Sequence, residues 1–129
     1  MNIRKRLATA GLIAVGVGSA LTVPSIVDPA PAHAYSYYGA IALSPSTGQT
    51  GRAWDYDNSR DAANVAMSYC SYSDCKVVTE FVNGCGAIAK GTSYWGYGWA
   101  SNLYDAESYA RYYSEGGYIY DWVCTSGHS

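Results

Sequence analysis

From residue 38 onward, the apolar and polar positions of this chain run through one pattern twice. Residues 38–43 and 86–90 are short, continuous apolar runs of the kind that form buried strands. Ser44-Pro45-Ser46-Thr47-Gly48 is a turn cluster after the first. Residues 51–56 and 94–100 are aromatic, glycine-bearing stretches that read as second strands. The period then becomes helical. Ala62, Val65, Ala66 and Tyr69 fall at i, i+3, i+4 and i+7, and Ala106, Tyr109, Ala110 and Tyr113 repeat the spacing. Asn58-x-x-Asp61 and Asn102-x-x-Asp105 precede these stripes, each supplying a capping amide and an acid for the first turn. The spacing predicts helices over 59–70 and 103–113, packed on a sheet through these faces. Third strands follow with period-two alternation. Val77, Thr79 and Phe81 share one face, and Val78, Glu80 and Val82 the other. Tyr118, Tyr120 and Trp122 alternate likewise with Ile119, Asp121 and Val123. The alternation leaves open which face meets the helices.

The two passes correspond residue by residue. Gly39-Ala40-Ile41-Ala42 returns as Gly86-Ala87-Ile88-Ala89 after 47 positions, Trp54 as Trp99 after 45, and Asn58 as Asn102 after 44. Val77–Val82 matches Tyr118–Val123 after 41, which makes Glu80 and Asp121 equivalent. A period of this size marks a repeated structural unit. The repeats span about 38–84 and 85–125 of a single domain, 35–129. Neither can bury a core alone. The expected fold class is therefore α+β: two β-β-α-β repeats packed about a pseudo-twofold axis, with mostly antiparallel sheet.

Residues 1–34 read as a signal peptide. Arg4, Lys5 and Arg6 precede an uncharged run from Leu7 to Val23, and Ala32-His33-Ala34 is an A-x-A cleavage site. The apolar run is short and glycine-rich for a membrane span, and no second run follows, so a secreted product without a membrane span is expected. Beyond residue 34 stand five basic and nine acidic side chains, a net charge of −4. That sign argues against nucleic acid, whose binding rests on neutralising phosphates, and against an anionic membrane surface.

All four cysteines, Cys70, Cys75, Cys85 and Cys124, lie beyond the signal segment. An even number in a small secreted domain implies disulfides. Cys70 ends the first helix and Cys75 opens the next strand, so a bridge there staples the turn. Cys85 and Cys124 lie just past the matching strands of the two repeats, where a bridge would lock one repeat to the other. Zinc held by four thiolates is the alternative, disfavoured by an oxidising compartment. The positions of Cys70 and Cys75 map near Ser114 and Gly117 in the second repeat, which lacks that staple.

Tyr38-Gly39-Ala40-Ile41-Ala42-x-Ser44-Pro45, the alanine-rich helix ending in Cys70, Asp74-Cys75-Lys76-Val77-Val78 and Asn83-Gly84-Cys85-Gly86-Ala87-Ile88-Ala89 occur in that order. With Tyr97-Gly98-Trp99, Asp105-Ala106-Glu107 and the closing Trp122-Val123-Cys124, they resemble the secreted actinobacterial family called domain of unknown function 4189. The resemblance covers 37–124. It implies secretion from a mycobacterium-like bacterium and supplies no catalytic residues. Members often carry a further cysteine pair in the second half, and this chain departs from that near Ser114 and Gly117.

Several chemistries are disfavoured. The one histidine beyond the signal segment is His128, next to the C-terminus, which reads as a solvated tail and leaves no Ser-His-Asp triad or histidine metal site. With both bridges closed there is no thiol nucleophile. No glycine loop cradles phosphate. Asp55 and Asp57 beside Asn58 lack the spacing of a calcium loop and read as helix-cap acids. No cofactor or metal is expected. Glu80 and Asp121, brought together by a twofold axis, would be the carboxylate pair of a small glycosidase-like enzyme; the alternative is two surface acids.

Aromatics are in excess: 14 Tyr, 4 Trp and 1 Phe, all beyond residue 34. The core accounts for Tyr69, Tyr109, Tyr113, Trp54, Trp99 and Phe81. Tyr37, Tyr38, Tyr72, Tyr94, Trp95, Tyr97, Tyr104 and Tyr112 are left over. Tyr94-Trp95-Gly96-Tyr97-Gly98-Trp99 is the densest segment, and Tyr94, Trp95 and Tyr97 are the candidate partner-binding residues. Local packing of a glycine-kinked strand is the alternative. The expected function is a non-enzymatic binding or effector domain engaging a protein partner. A carbohydrate or cell-envelope glycan module is the second reading, and the glycosidase-like enzyme the third.

Overall fold

The elements follow one another in the order the periods predict. The computed structural model describes residues 35–129, so the signal-peptide reading of 1–34 lies outside the described residues. Strands β1 (Tyr38–Leu43) and β2 (Thr50–Tyr56), helix α1 (Ser59–Cys70) and strand β3 (Lys76–Val82) form the first repeat. Strands β4 (Cys85–Lys90) and β5 (Trp95–Ala100), helix α2 (Leu103–Tyr113) and strand β6 (Tyr118–Cys124) form the second. Both helices start where the asparagines place them. Asn58 Oδ1 accepts from the Asp61 amide at 2.8 Å, and Asn102 Oδ1 from the Asp105 amide at 2.9 Å. Each bond satisfies an amide that the first helical turn leaves without a partner.

Each repeat makes one antiparallel three-stranded sheet, β2-β1-β3 and β5-β4-β6. The two sheets pack face to face with one helix on each outer side. β1 lies against β4, and β3 lies against β5 as β6 lies against β2. That exchange of equivalents is the pseudo-twofold arrangement. Ile41, Leu43, Phe81, Ile88 and Val123 fill the space between the sheets. Ala40, Ala42, Ala62 and Ala66 line the contact of α1 with its sheet, and Ala87, Ala89, Ala106 and Ala110 that of α2.

Both third strands carry a bulge at the same place. Ile41 pairs with Thr79 and Ala42 with Val77, leaving Val78 as the extra residue. Ile88 pairs with Asp121 and Ala89 with Ile119, leaving Tyr120 extra. These pairings correct the correspondence of the third strands by one residue. Ala40 pairs with Glu80, while its equivalent Ala87 pairs with Trp122. Glu80 therefore corresponds to Trp122, and Asp121 to Thr79. A one-residue slip exchanges the faces of a strand, so Glu80 and Asp121 do not share a position. Glu80 lies on the helix side of the first sheet with Ala40, and Asp121 on the inter-sheet side of the second with Ile88.

A second correction concerns the rings. Tyr69, Tyr109 and Tyr113, placed in the core by helical period, and Trp54 and Trp99, placed there as rings shared by the repeats, are all largely exposed. The helices rest on the sheets at backbone distance. A Cβ on Gly51 would stand 2.6 Å from the Cys70 nitrogen, and one on Gly98 would stand 2.7 Å from the Ala110 nitrogen. Contacts built of glycine and alanine leave no room for a tyrosine, so the rings overhang the sheet edges. Of the residues assigned to the core for their rings, Phe81 is buried. Gly39 and Gly86 make room for it, since a Cβ on either would meet its ring.

Cys70 bonds to Cys75 and Cys85 to Cys124. The first bridge staples the α1–β3 turn. The second joins paired residues of β4 and β6, so it closes the second sheet upon itself and does not lock repeat to repeat. Where the first repeat has its staple, the second has a hydrogen bond from the Gly117 amide to the buried Ser114 Oγ at 2.9 Å. The C-terminal tail is tied down, contrary to the solvated tail expected for His128. Its Nδ1 lies 2.8 Å from the Ser101 carbonyl oxygen, and Ser126 N donates to Asp55 Oδ1 at 2.8 Å. Asp55 thus anchors the tail and is not a helix-cap acid. The disulfides are compatible with an extracellular protein. No helix among the described residues is long and apolar enough to cross a membrane.

Candidate functional site

The sequence directs attention to Tyr94, Trp95 and Tyr97, and the structure separates them. In β5 the glycines at 96 and 98 face α2, so Trp95 and Tyr97 turn toward the other sheet. Both pack against the inter-sheet core. Trp95 meets Tyr120 edge to face at 4.9 Å between ring centroids and carries Lys90 Nζ 5.0 Å from its own. Burial pushes the Tyr97 hydroxyl above its ordinary pKa. Tyr94, just before the strand, is largely exposed. The three do not form one open face, and two of them belong to packing.

The open rings stand along the edge of each sheet beside its helix. In the first repeat Trp54 (48% exposed) and Tyr69 (65%) border a groove of about 380 Å³. In the second, Trp99 (61%) and Tyr113 (60%) border one of about 420 Å³, with Tyr109 beside them and Gly98 in its lining. The grooves are equivalents. Trp54 corresponds to Trp99 after 45 positions, and Tyr69 to Tyr113 after 44.

Their polar surroundings differ. The first groove also holds Gln49, Thr50, Arg52 and Asp121. Thr50 Oγ1 donates to Asp121 Oδ2 at 2.6 Å, and the Trp122 amide donates to Asp121 Oδ1 at 2.9 Å. Arg52 Nη1 reaches the Trp122 carbonyl at 3.1 Å and Asp121 Oδ1 at 3.5 Å. The arginine side chain is half exposed and the aspartate mostly covered. Arg52 and Asp121 correspond to Tyr97 and Thr79 in the other half, where both turn into packing. The Thr79 hydroxyl is buried with no hydrogen-bond partner among the described residues.

Tyr69 and Tyr113 read as core from sequence because they keep the period of the buried helix faces, and Trp54 and Trp99 because they recur in both repeats; all four lie at the surface. A usable signal was present. Gly51, Ala53, Ala62 and Ala66 are all small, so the helix and strand that carry the rings approach too closely to enclose them. The hydrolytic pairing of Glu80 with Asp121 has no geometric basis, since the two face different layers. No group of three or more histidine, cysteine or acidic side chains among the described residues is placed to hold a metal ion.

Residues 38–124 match the family described as Domain of unknown function (DUF4189). The chain is 42% identical over 93 residues to Protein Rv1269c of Mycobacterium tuberculosis, covering 72% of this chain and 73% of the relative. It is 34% identical over 145 aligned positions to Uncharacterized protein Rv1813c of the same organism, covering 95% and 97%. The NMR structure of Rv1813c superposes with a TM-score of 0.59 at 32% identity, over 96% of this chain and 99% of that one.

Proposed function

The chain belongs to the DUF4189 family, and on that footing we propose that it is a secreted, non-enzymatic binding domain that engages its partner through exposed aromatic rings. The observation that carries this reading is the pair of rings kept at equivalent exposed positions in both repeats. Agreement between repeats ordinarily reflects what the fold needs. Here the fold does not need the rings, because Trp54, Tyr69, Trp99 and Tyr113 are about half exposed or more. A large aromatic side chain left in water forgoes the stabilisation of burial. The same ring is a strong anchor once a partner covers it. Open grooves whose one carboxylate, Asp121, is already engaged by the Thr50 hydroxyl and the Trp122 amide suit binding better than turnover. A protein surface and a cell-envelope glycan both offer the apolar faces such rings take.

The test is capture of partners by the purified chain and by a Trp54→Ala/Trp99→Ala variant. Loss of one or more captured partners, with unchanged circular dichroism and melting temperature, is expected. Capture of the same partners at the same strength by both proteins would remove these rings from the function.

A further inference from the structure

We propose that the groove of the first repeat is a saccharide site that takes a neutral pyranose unit, an inference that rests on the binding-domain reading and specifies its ligand. Trp54 and Tyr69 present flat aromatic surfaces. The C–H face of a pyranose is weakly electropositive and apolar, and it stacks on the electron-rich face of such rings. A sugar also needs donors and acceptors side by side, because each hydroxyl can do both. Arg52 and Asp121 supply them.

The arginine fork is held but not exhausted. Its two recorded partners, the Trp122 carbonyl and Asp121, are both reached through Nη1. Nε and Nη2 make no hydrogen bond among the described residues, and the side chain is half exposed. A guanidinium fixed by a strand backbone is preorganised, so little freedom is lost when its free edge meets adjacent hydroxyls. Asp121 is fixed just as firmly, by the Thr50 hydroxyl and the Trp122 amide, and stands next to that fork as an acceptor. Gln49 adds a further polar side chain to the lining.

Charge selects a neutral ligand. The Arg52 and Asp121 charges oppose each other within the groove, so a phosphate or carboxylate meets Asp121 and an ammonium group meets Arg52. A ligand with an apolar face, an edge dense in hydroxyls and no charge fits both halves of the site. The groove, at about 380 Å³, falls in the size range of small-molecule sites. The second repeat is an internal control. It keeps the rings, but the equivalents of Arg52 and Asp121 are Tyr97 and Thr79, which turn into packing, so it lacks the hydroxyl-reading edge.

The full chain, purified with both disulfides closed, is titrated with neutral oligosaccharides of glucose, mannose and N-acetylglucosamine. Binding is followed by tryptophan fluorescence and by backbone NMR shifts. At least one saccharide should bind and shift Thr50–Trp54 together with Asp121. Trp54→Ala should weaken it about tenfold or more, as should Arg52→Lys, which keeps the charge but loses the fork. Tyr104→Ala, at an exposed ring outside both grooves, should leave it unchanged. Melting temperatures and circular dichroism confirm that the variants fold. Binding that ignores Trp54 and Arg52, or that is lost in Tyr104→Ala with the fold intact, overturns the site. If no saccharide in the panel binds, the saccharide assignment is wrong. Partner capture lost in Trp54→Ala/Trp99→Ala would then still uphold the binding domain, with a protein as its ligand. Preference for an acidic sugar over its neutral counterpart overturns the charge argument.

Discussion

Replacing Gly96 by alanine tests the claim that the helices lie on the sheets at backbone distance. A methyl carbon built on Gly96 would stand 2.1 Å from the Ala110 carbonyl oxygen, 2.3 Å from the Ser114 nitrogen and 2.8 Å from Ser114 Cβ. The two closest atoms are main chain of α2 and its cap, so no side-chain rotation relieves the clash. The helix must move away by about 1 Å to restore van der Waals contact. That movement loosens the packing of Ala87, Ala89, Ala106 and Ala110, which are fully buried and have no longer side chains to fill a gap. Overpacking of this kind typically costs about 1–3 kcal/mol. With the added loss of contact along the helix, about 3 kcal/mol is expected, a large share of the stability of a small domain. Gly116→Ala is the matched control. Its φ is +88° and nothing lies within 4 Å of the added carbon, so it carries backbone strain without a clash, at about 1 kcal/mol. Urea unfolding followed by tryptophan fluorescence, with the disulfides closed, measures both. If Gly96→Ala costs no more than Gly116→Ala, close approach is not what requires glycine at 96.

The remaining predictions concern the staples and acid. The Cys85–Cys124 bridge closes a separation of 39 residues and Cys70–Cys75 one of 5. Replacing the first pair with alanine should cost about 4 kcal/mol and the second about 2 on the chain-entropy account, as read by urea midpoints of the two double variants. A reversed order would mean that local turn geometry outweighs loop length. Asp74 accepts from the Ser44 hydroxyl at 2.6 Å and the Ser46 amide at 3.0 Å, and these bonds lower its pKa from 3.8 to about 2. A depressed folded-state value stabilises the fold above the unfolded pKa and is lost as pH falls through the folded one. Melting temperature should therefore decline between about pH 4 and pH 2 more steeply in the parent chain than in Asp74→Asn. Equal slopes would show that the Ser44–Asp74 contact does not persist in solution.

Much of the architecture was legible because local chemistry and global fold agree. Asn58 and Asn102 mark the helix starts, and the alanine stripes mark the buried faces. The return of Gly39–Ala42 as Gly86–Ala89 marks the repeat. The register of the third strands was not legible. The bulges at Val78 and Tyr120 break period-two alternation, and pairing acid with acid and aromatic with aromatic then favours the wrong offset. Ring exposure failed for another reason. The period of Ala62, Val65, Ala66 and Tyr69 gives the direction in which a helix faces its sheet, but not how far the sheet extends beneath it. Tyr69 keeps the phase of the core and lies beyond its edge. The tail contacts of Asp55 with Ser126 and of His128 with Ser101 had no local signal, since they join segments 71 and 27 residues apart.

The breaking of the pseudo-twofold links fold to surface chemistry. The Arg52–Asp121 pair exists because the repeats differ: two copies of the first would set an arginine against a threonine at both seams, where β2 meets β6 and where β3 meets β5, and two copies of the second a tyrosine against an aspartate. An ion pair fully enclosed loses hydration that its mutual attraction does not reliably restore. In this chain the β3–β5 seam carries Thr79 and Tyr97 in those places and is closed by Trp95, Tyr97 and Phe81. It can therefore exclude water. The β2–β6 seam keeps Arg52 half exposed over Asp121, with Thr50 and the Trp122 backbone holding the pair in place. Closing one seam with aromatics supplies the burial that a small α+β domain needs. The other seam is then free to stay open to water and to retain an ordered charge pair beside exposed rings.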